Sequence, residues 1–107
     1  MNSIAENFEK MLAAGQDSAL LRYSLGNAYL ETAPEKAAHH LEVAVSLDEE
    51  YSAAWKILGK ARAASGDIAG AMEAYESGIN IAEKKGDVQA MKEMKVFLRR
   101  LEKQKDA

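Results

Sequence analysis

Cysteine is absent from the 107 residues, and proline occurs once. Without a thiol there is no disulfide framework, no thiolate metal site and no cysteine nucleophile. Long apolar runs are absent too. The longest cover only a few residues, far short of the roughly 20 that a bilayer-crossing helix needs. β-branched residues are few and no stretch sustains period-two alternation, so strand signals are missing. There is no G-x-G-x-x-G run and no phosphate loop, so no nucleotide cofactor is expected. No Ser-His-Asp arrangement is legible from spacing, which argues against an enzyme. The first residues, Met-Asn-Ser-Ile-Ala-Glu, carry an acid where a signal peptide carries lysine or arginine. The cytoplasm is the expected compartment.

What is present reads as one globular domain: 48% hydrophobic and 29% charged residues. The net charge of −3 gives no overall attraction for nucleic acid. That mean hides an asymmetry. Residues 1–50 hold three bases against nine acids, and residues 51–107 hold eleven bases against eight acids. The last helical stretch is the most basic, with Lys92, Lys95, Arg99, Arg100, Lys103 and Lys105. Polarised charge of this kind steers partners or orients self-association.

Helix punctuation is regular. Gly15-Gln16-Asp17, Gly66-Asp67 and Gly86-Asp87 each place a C-terminal stop before a capping acid. The spacing predicts six helices. The first covers about Asn2 to Ala14, with Ser3 and Glu6 at capping-box spacing and Ile4, Phe8 and Met11 on one face. The second covers about Asp17 to Glu31, with Leu21, Leu25 and Ala28 on one face. Pro34 opens the third, which runs to Leu47 with Ala37, Leu41, Ala44 and Val45 inward. The fourth runs from Tyr51 to Ser65 and the fifth from Asp67 to Lys85. The sixth runs from Asp87 to Lys103, with Val88, Met91, Met94, Leu98 and Leu101 inward. Residues 104–107 are expected to fray.

The central helix pairs repeat. Leu25-Gly26 recurs as Leu58-Gly59 at a spacing of 33, and Ala37, Leu41 and Ala44 recur as Ala71, Tyr75 and Gly78 at 34. Leu47 recurs as Ile81. Such a period marks a stack of helical hairpins. On these residues the chain resembles the tetratricopeptide repeat family over about residues 19–83. One repeat reads Leu25-Gly26, Tyr29, Ala37, Leu41, Ala44. The other reads Trp55, Leu58-Gly59, Ala71, Tyr75, Gly78. The chain departs from the pattern where Arg22 and Arg62 replace aromatics and where Glu49 and Glu83 replace the helix-ending proline. The expected fold is an all-α, α-solenoid stack in one domain. It comprises an N-terminal helix at 1–16, repeats at 17–50 and 51–85, and a C-terminal capping helix at 86–104. Trp55 is expected to be substantially buried between layers.

The resemblance implies a non-catalytic module that binds a protein or peptide along the inner face of the first helix of each hairpin. At i, i+4, i+7 spacing the groove stripes are Tyr23, Asn27 and Leu30, then Lys56, Lys60 and Ala63, then Lys92, Val96 and Arg99. Four cations favour a ligand of acidic character. Some relatives hold a C-terminal carboxylate with lysines and asparagines. Asn27 fits that clamp, but Tyr23 and Ile57 stand where it needs a Lys and a second Asn. The alternatives are a self-assembling subunit, acidic front against basic back, and, ranked lower, nucleic-acid binding through the basic last helix. His39 and His40 diverge by about 100° on a helix, so no metal site is expected and both read as a solvated outer face. Arg22 and Arg62 read as stems lying over apolar neighbours with their heads in water.

Overall fold

A computed structural model describes residues 3–106 of the chain, and these form six helices and no strand. They are α1 (Ile4–Ala13), α2 (Ala19–Tyr29), α3 (Pro34–Leu47), α4 (Ser52–Ala64), α5 (Ile68–Lys85) and α6 (Val88–Asp106). Short loops join them, so chain neighbours pair as antiparallel hairpins. The main layers are α2 with α3 and α4 with α5, with α1 before them and α6 after them. Along the stack α2 also touches α4, and α4 touches α6.

Local chemistry sets the helix ends. Ser3 Oγ accepts from the Glu6 amide at 3.1 Å. Asp67 does the same for Gly70 at 2.9 Å, and Asp87 for Ala90 at 3.2 Å. Gly86 closes α5 in the left-handed conformation, at φ 75°, where a Cβ would be strained. Pro34 occupies the first turn of α3, where its missing N–H is no loss. Two ends differ from the sequence reading. The cap of α2 is Ser18, whose Oγ accepts from the Leu21 amide at 3.1 Å. Asp17 is drawn instead to the side chain of Arg22. At the other end α6 stays helical through Asp106 where fraying was expected. Asn2 and Ala107, included in the expected first helix and frayed end, lie outside the described residues.

Two apolar clusters make the core. One joins α3 and α4 through Ala37, Leu41, Ala44, Leu58 and Ala61, all fully buried. The other joins α5 and α6 through Ala71, Tyr75, Ala82 and Met94. Trp55 is half-buried and packs against both, so it bridges the layers as its repeat position implied. Its indole N–H is satisfied by the Glu49 carbonyl at 2.8 Å. Small residues permit the close approach. A methyl on Gly26 would strike Leu41, and one on Gly59 would strike the Tyr75 ring.

The two ends of the stack are less well covered. No residue of α1 is buried, and Ile4 is 67% exposed. Of the α6 positions expected inward, Met94 and Leu101 are buried and Met91 and Leu98 half-buried, whereas Val88 is 51% exposed. Phe97 packs on the second cluster instead, its ring 5.7 Å from that of Tyr75. Ala28 on α2 is exposed rather than inward, on the wall of the cleft left open between α1 and α2.

Candidate functional site

The first helix of each hairpin, α2 then α4, and the lone α6 lie side by side. Their stripes are in repeat register, Tyr23 with Lys56 with Lys92. The stripes of α2 and α4 face the next helix along. Tyr23 is half-buried with its ring 4.9 Å from that of Tyr51, at the start of α4. Leu30 is half-buried against the first cluster, and Asn27 is exposed. On α4, Lys56 Nζ lies 3.1 Å from Glu93 Oε2 of α6, and Lys60 Nζ sits 4.9 Å above the Phe97 ring. Ala63 packs on the second cluster. On α6, Lys92 and Arg99 are exposed and Val96 is 44% exposed, with no described helix packed over them.

Lys56 and Lys60 are thus engaged within the fold, whereas Lys92 and Arg99 project outward. Glu93 adds an acid to this face. Its carboxyl is held below the usual range by hydrogen bonds from Gln89 and Lys56. Sequence reasoning missed Glu93 because its partner is on another helix. The i, i+4 pair of Gln89 and Glu93 was the one local trace of it. Phe97, missed as well, carries cations on its faces: Lys60, and Arg100 with Cζ 5.8 Å from the ring centre. The Phe97 ring is thus occupied and offers no bare platform for stacking bases.

Behind this face lies a buried polar cluster. His39 is exposed as expected, but His40 is 5% exposed, which corrects its assignment to a solvated face. Arg22 explains the burial. Its Nε and Nη2 grip both oxygens of Asp17 at 2.8 and 2.9 Å, and Nη1 donates to His40 Nδ1 at 3.1 Å. A guanidinium can only donate, so Nδ1 is the bare nitrogen and Nε2 carries the proton. That Nε2 faces Glu9 Oε1 of α1 at 3.5 Å, and this oxygen is buried with no closer partner. Tyr29 stacks on the imidazole at 5.9 Å, with Lys36 over its far ring. Burial pushes the imidazole below its ordinary value, Glu9 opposing and Arg22 adding to the effect. Arg22 is therefore a structural fork rather than a stem with a wetted head. Arg62 is similar: its Nη1 donates to the Gly70 carbonyl at 3.0 Å.

Two open clefts adjoin α1. The larger, about 700 Å³, is lined by Ile4, Ala5 and Phe8 with Tyr23, Ser24, Asn27 and Ala28, among others. The smaller, about 250 Å³, is lined by Phe8 and Met11 with Leu20, Leu21 and Ser24, among others. Among the described residues no group of three or more His, Asp or Glu side chains is placed to hold a metal ion, and no helix is long and apolar enough to cross a membrane.

Stacked antiparallel hairpins with small residues at each close contact and an aromatic bridging the layers define an α-solenoid. No family model matches the chain. It is 56% identical over 99 residues to a TPR repeat-containing protein of Pseudomonas aeruginosa, spanning 92% of this chain and 94% of that one. It is 48% identical to a protein of Bordetella parapertussis whose solution structure matches with a TM-score of 0.84, over 97% of this chain and 91% of that one. A shorter match, 52% over 58 residues, is to a heat-shock protein cognate co-chaperone of Aspergillus fumigatus, of which it spans 17%. The chain belongs to the tetratricopeptide repeat family.

Proposed function

We propose that the chain is a non-catalytic protein-interaction module that holds a polypeptide along the face formed by α2, α4 and α6. The observation that carries this reading is the mixed surface they present. Asn27 offers an exposed amide, Val96 an apolar contact, and Lys92 and Arg99 outward cations on one stripe. An amide fixes an extended backbone, and cations select acidic side chains. The fitting ligand is an extended or helical peptide that pairs carboxylates with a hydrophobic residue. Membership of a repeat family that includes a co-chaperone supports a protein as partner, and a soluble, cytoplasmic setting suits it.

The geometry also chooses the test. Reversing Lys56 would set a carboxylate against Glu93 and weaken the contact of α4 with α6, so it would mix stability with binding. Lys92→Glu with Arg99→Glu avoids this, because both side chains are exposed. Isotopically labelled protein titrated with short Glu-Leu-Glu peptides should show amide shifts along α2, α4 and α6. The double variant should bind about tenfold or more weakly, and affinity should fall with salt. Shifts confined to the outer helices α3 and α5, or an equal response to a Lys-Leu-Lys peptide, would overturn the reading.

A further inference from the structure

A stack of hairpins needs a polar outer face at each end to remain separate. The two ends of the described stack differ: α6 presents lysines and arginines around an exposed Val96, whereas the α1 end exposes Ile4, Met11 and Leu20. Among the described helices, α1 and α6 each stand as a single helix beside a hairpin, α1 against α2 and α6 against α5 and α4. Six large apolar side chains are exposed among the described residues. Three of them, Ile4, Met11 and Leu20, are at the α1 end, and two, Val88 and Val96, are on α6. The open clefts of about 700 and 250 Å³ lie between α1 and α2, where a further helix can pack on both.

The contact of α4 with α6 shows what such a helix would meet. Lys56 reaches Glu93, and Lys60 covers Phe97. Carried along the repeat, the stripe of Lys56, Lys60 and Ala63 becomes Lys92, Val96 and Arg99 on α6. The receiving row of Gln89, Glu93, Phe97 and Arg100 becomes Leu20, Ser24, Ala28 and Glu31 on α2. Leu20, Ala28 and Glu31 are exposed and Ser24 is half-buried. Val96 would then meet the small Ala28, with Arg99 near Glu31. The wider charge agrees, since residues 1–50 carry an excess of acids and residues 51–107 an excess of bases.

We propose that the α1–α2 clefts receive the basic helix α6 of a second copy of this chain, so that α6 of one copy and α1 of the next complete one hairpin layer. The contact is head to tail: each copy offers one donor end and one acceptor end, and the stack can continue. It does not depend on the peptide-binding reading, although a copy docked on α6 covers the stripe that the peptide would use.

Sedimentation equilibrium on the full chain, from micromolar to millimolar protein, tests this. The average mass should climb with concentration and drop back with added salt. Leu20→Glu spoils the acceptor end and Val96→Glu the donor end. Both sites are exposed, and unchanged far-UV dichroism will confirm folding. Each variant alone should remain monomeric, because every copy then lacks one of the two ends. Mixed, they should form one-to-one dimers and nothing larger, through the single intact pair of ends. Ile4→Glu with Arg99→Glu is a second such pair. A wild-type chain that stays monomeric throughout overturns the proposal, even if the cleft binds some other helix. Either variant associating alone, or a mixture that stays monomeric, overturns it as well.

Discussion

Gly59 shows how one residue's cost is set by its neighbour. Mid-helix glycine costs ~1 kcal/mol against alanine, so Gly59→Ala should stabilise an isolated helix. Here the added methyl would run into the Tyr75 ring, itself 3% exposed. Overpacking costs ~1–3 kcal/mol and outweighs the propensity gain. We expect a lower urea midpoint for Gly59→Ala, and an unchanged or higher midpoint would mean the ring moves aside freely. Tyr75 reports the same dryness, since burial pushes its hydroxyl up to about 12. His40 is the other decisive residue. Its folded pKa is depressed from 6.5, mainly by burial, so the unfolded chain takes up a proton first as pH falls. Its contribution is present above about 6.5 and is lost as pH falls through the depressed value. The groups around it are Glu9 on α1, Arg22 and Tyr29 on α2, and Lys36 and His39 on α3. Urea midpoints should therefore fall from pH 7.5 to 5.5, and His40→Gln, which can still accept from Arg22, should flatten that slope. A parallel slope in the variant would assign the effect to other groups. Asp17, Asp87 and Glu93 all titrate below their usual range, so their loss of stability falls in more acid solution.

At the scale of the element, the seam at Trp55 carries the coupling between layers. It touches both apolar clusters, and its N–H is satisfied by Glu49. Trp55→Ala should cost ~3 kcal/mol, at the low end for a tryptophan because the ring is only half-buried. A loss below about 1 kcal/mol with two-state melting would show that the layers cohere without it. Helix existence was legible because glycine, proline and capping acids act within a few residues of where they stand. Boundaries slipped where a side chain had a competing partner, as when Asp17 left the cap of α2 to Ser18 and turned to Arg22. The burial of His40 was not legible for the same kind of reason. Adjacent histidines look equivalent along the chain, and only Arg22 and Glu9, brought from two other helices, decide which one turns inward. The stripes of the candidate site could be written from spacing alone. Which of their lysines remain available could not, because Glu93 and Phe97 arrive from the next helix.

On the scale of the whole molecule, stability in a stack of this kind is roughly a sum of layers and the contacts between neighbours. The two terminal helices enter that sum unequally. α1 buries no residue fully, and its attachment rests on half-buried Ala5, Phe8 and Leu12 and the polar contact of Glu9 with His40. Partly covering one phenylalanine and one leucine is worth ~2–4 kcal/mol. α6 contributes a fully buried Met94, buried Ala90 and Leu101, and Phe97 packed beside Tyr75. Losing Met94 and Leu101 alone costs ~2–5 kcal/mol each, against a total of roughly 5–15 kcal/mol for a small domain. A chain that starts at Gln16 should therefore still melt cooperatively, with stability reduced by ~2–4 kcal/mol. A chain that stops at Gly86 should lose its cooperative transition and leave Tyr75 open to solvent. Thermal and urea unfolding of the two truncations, followed by far-UV dichroism, separate these outcomes. If instead removal of α1 abolishes folding and removal of α6 is tolerated, the Glu9–His40 contact matters more than apolar burial, and the centre of the core lies nearer the first layer than the second.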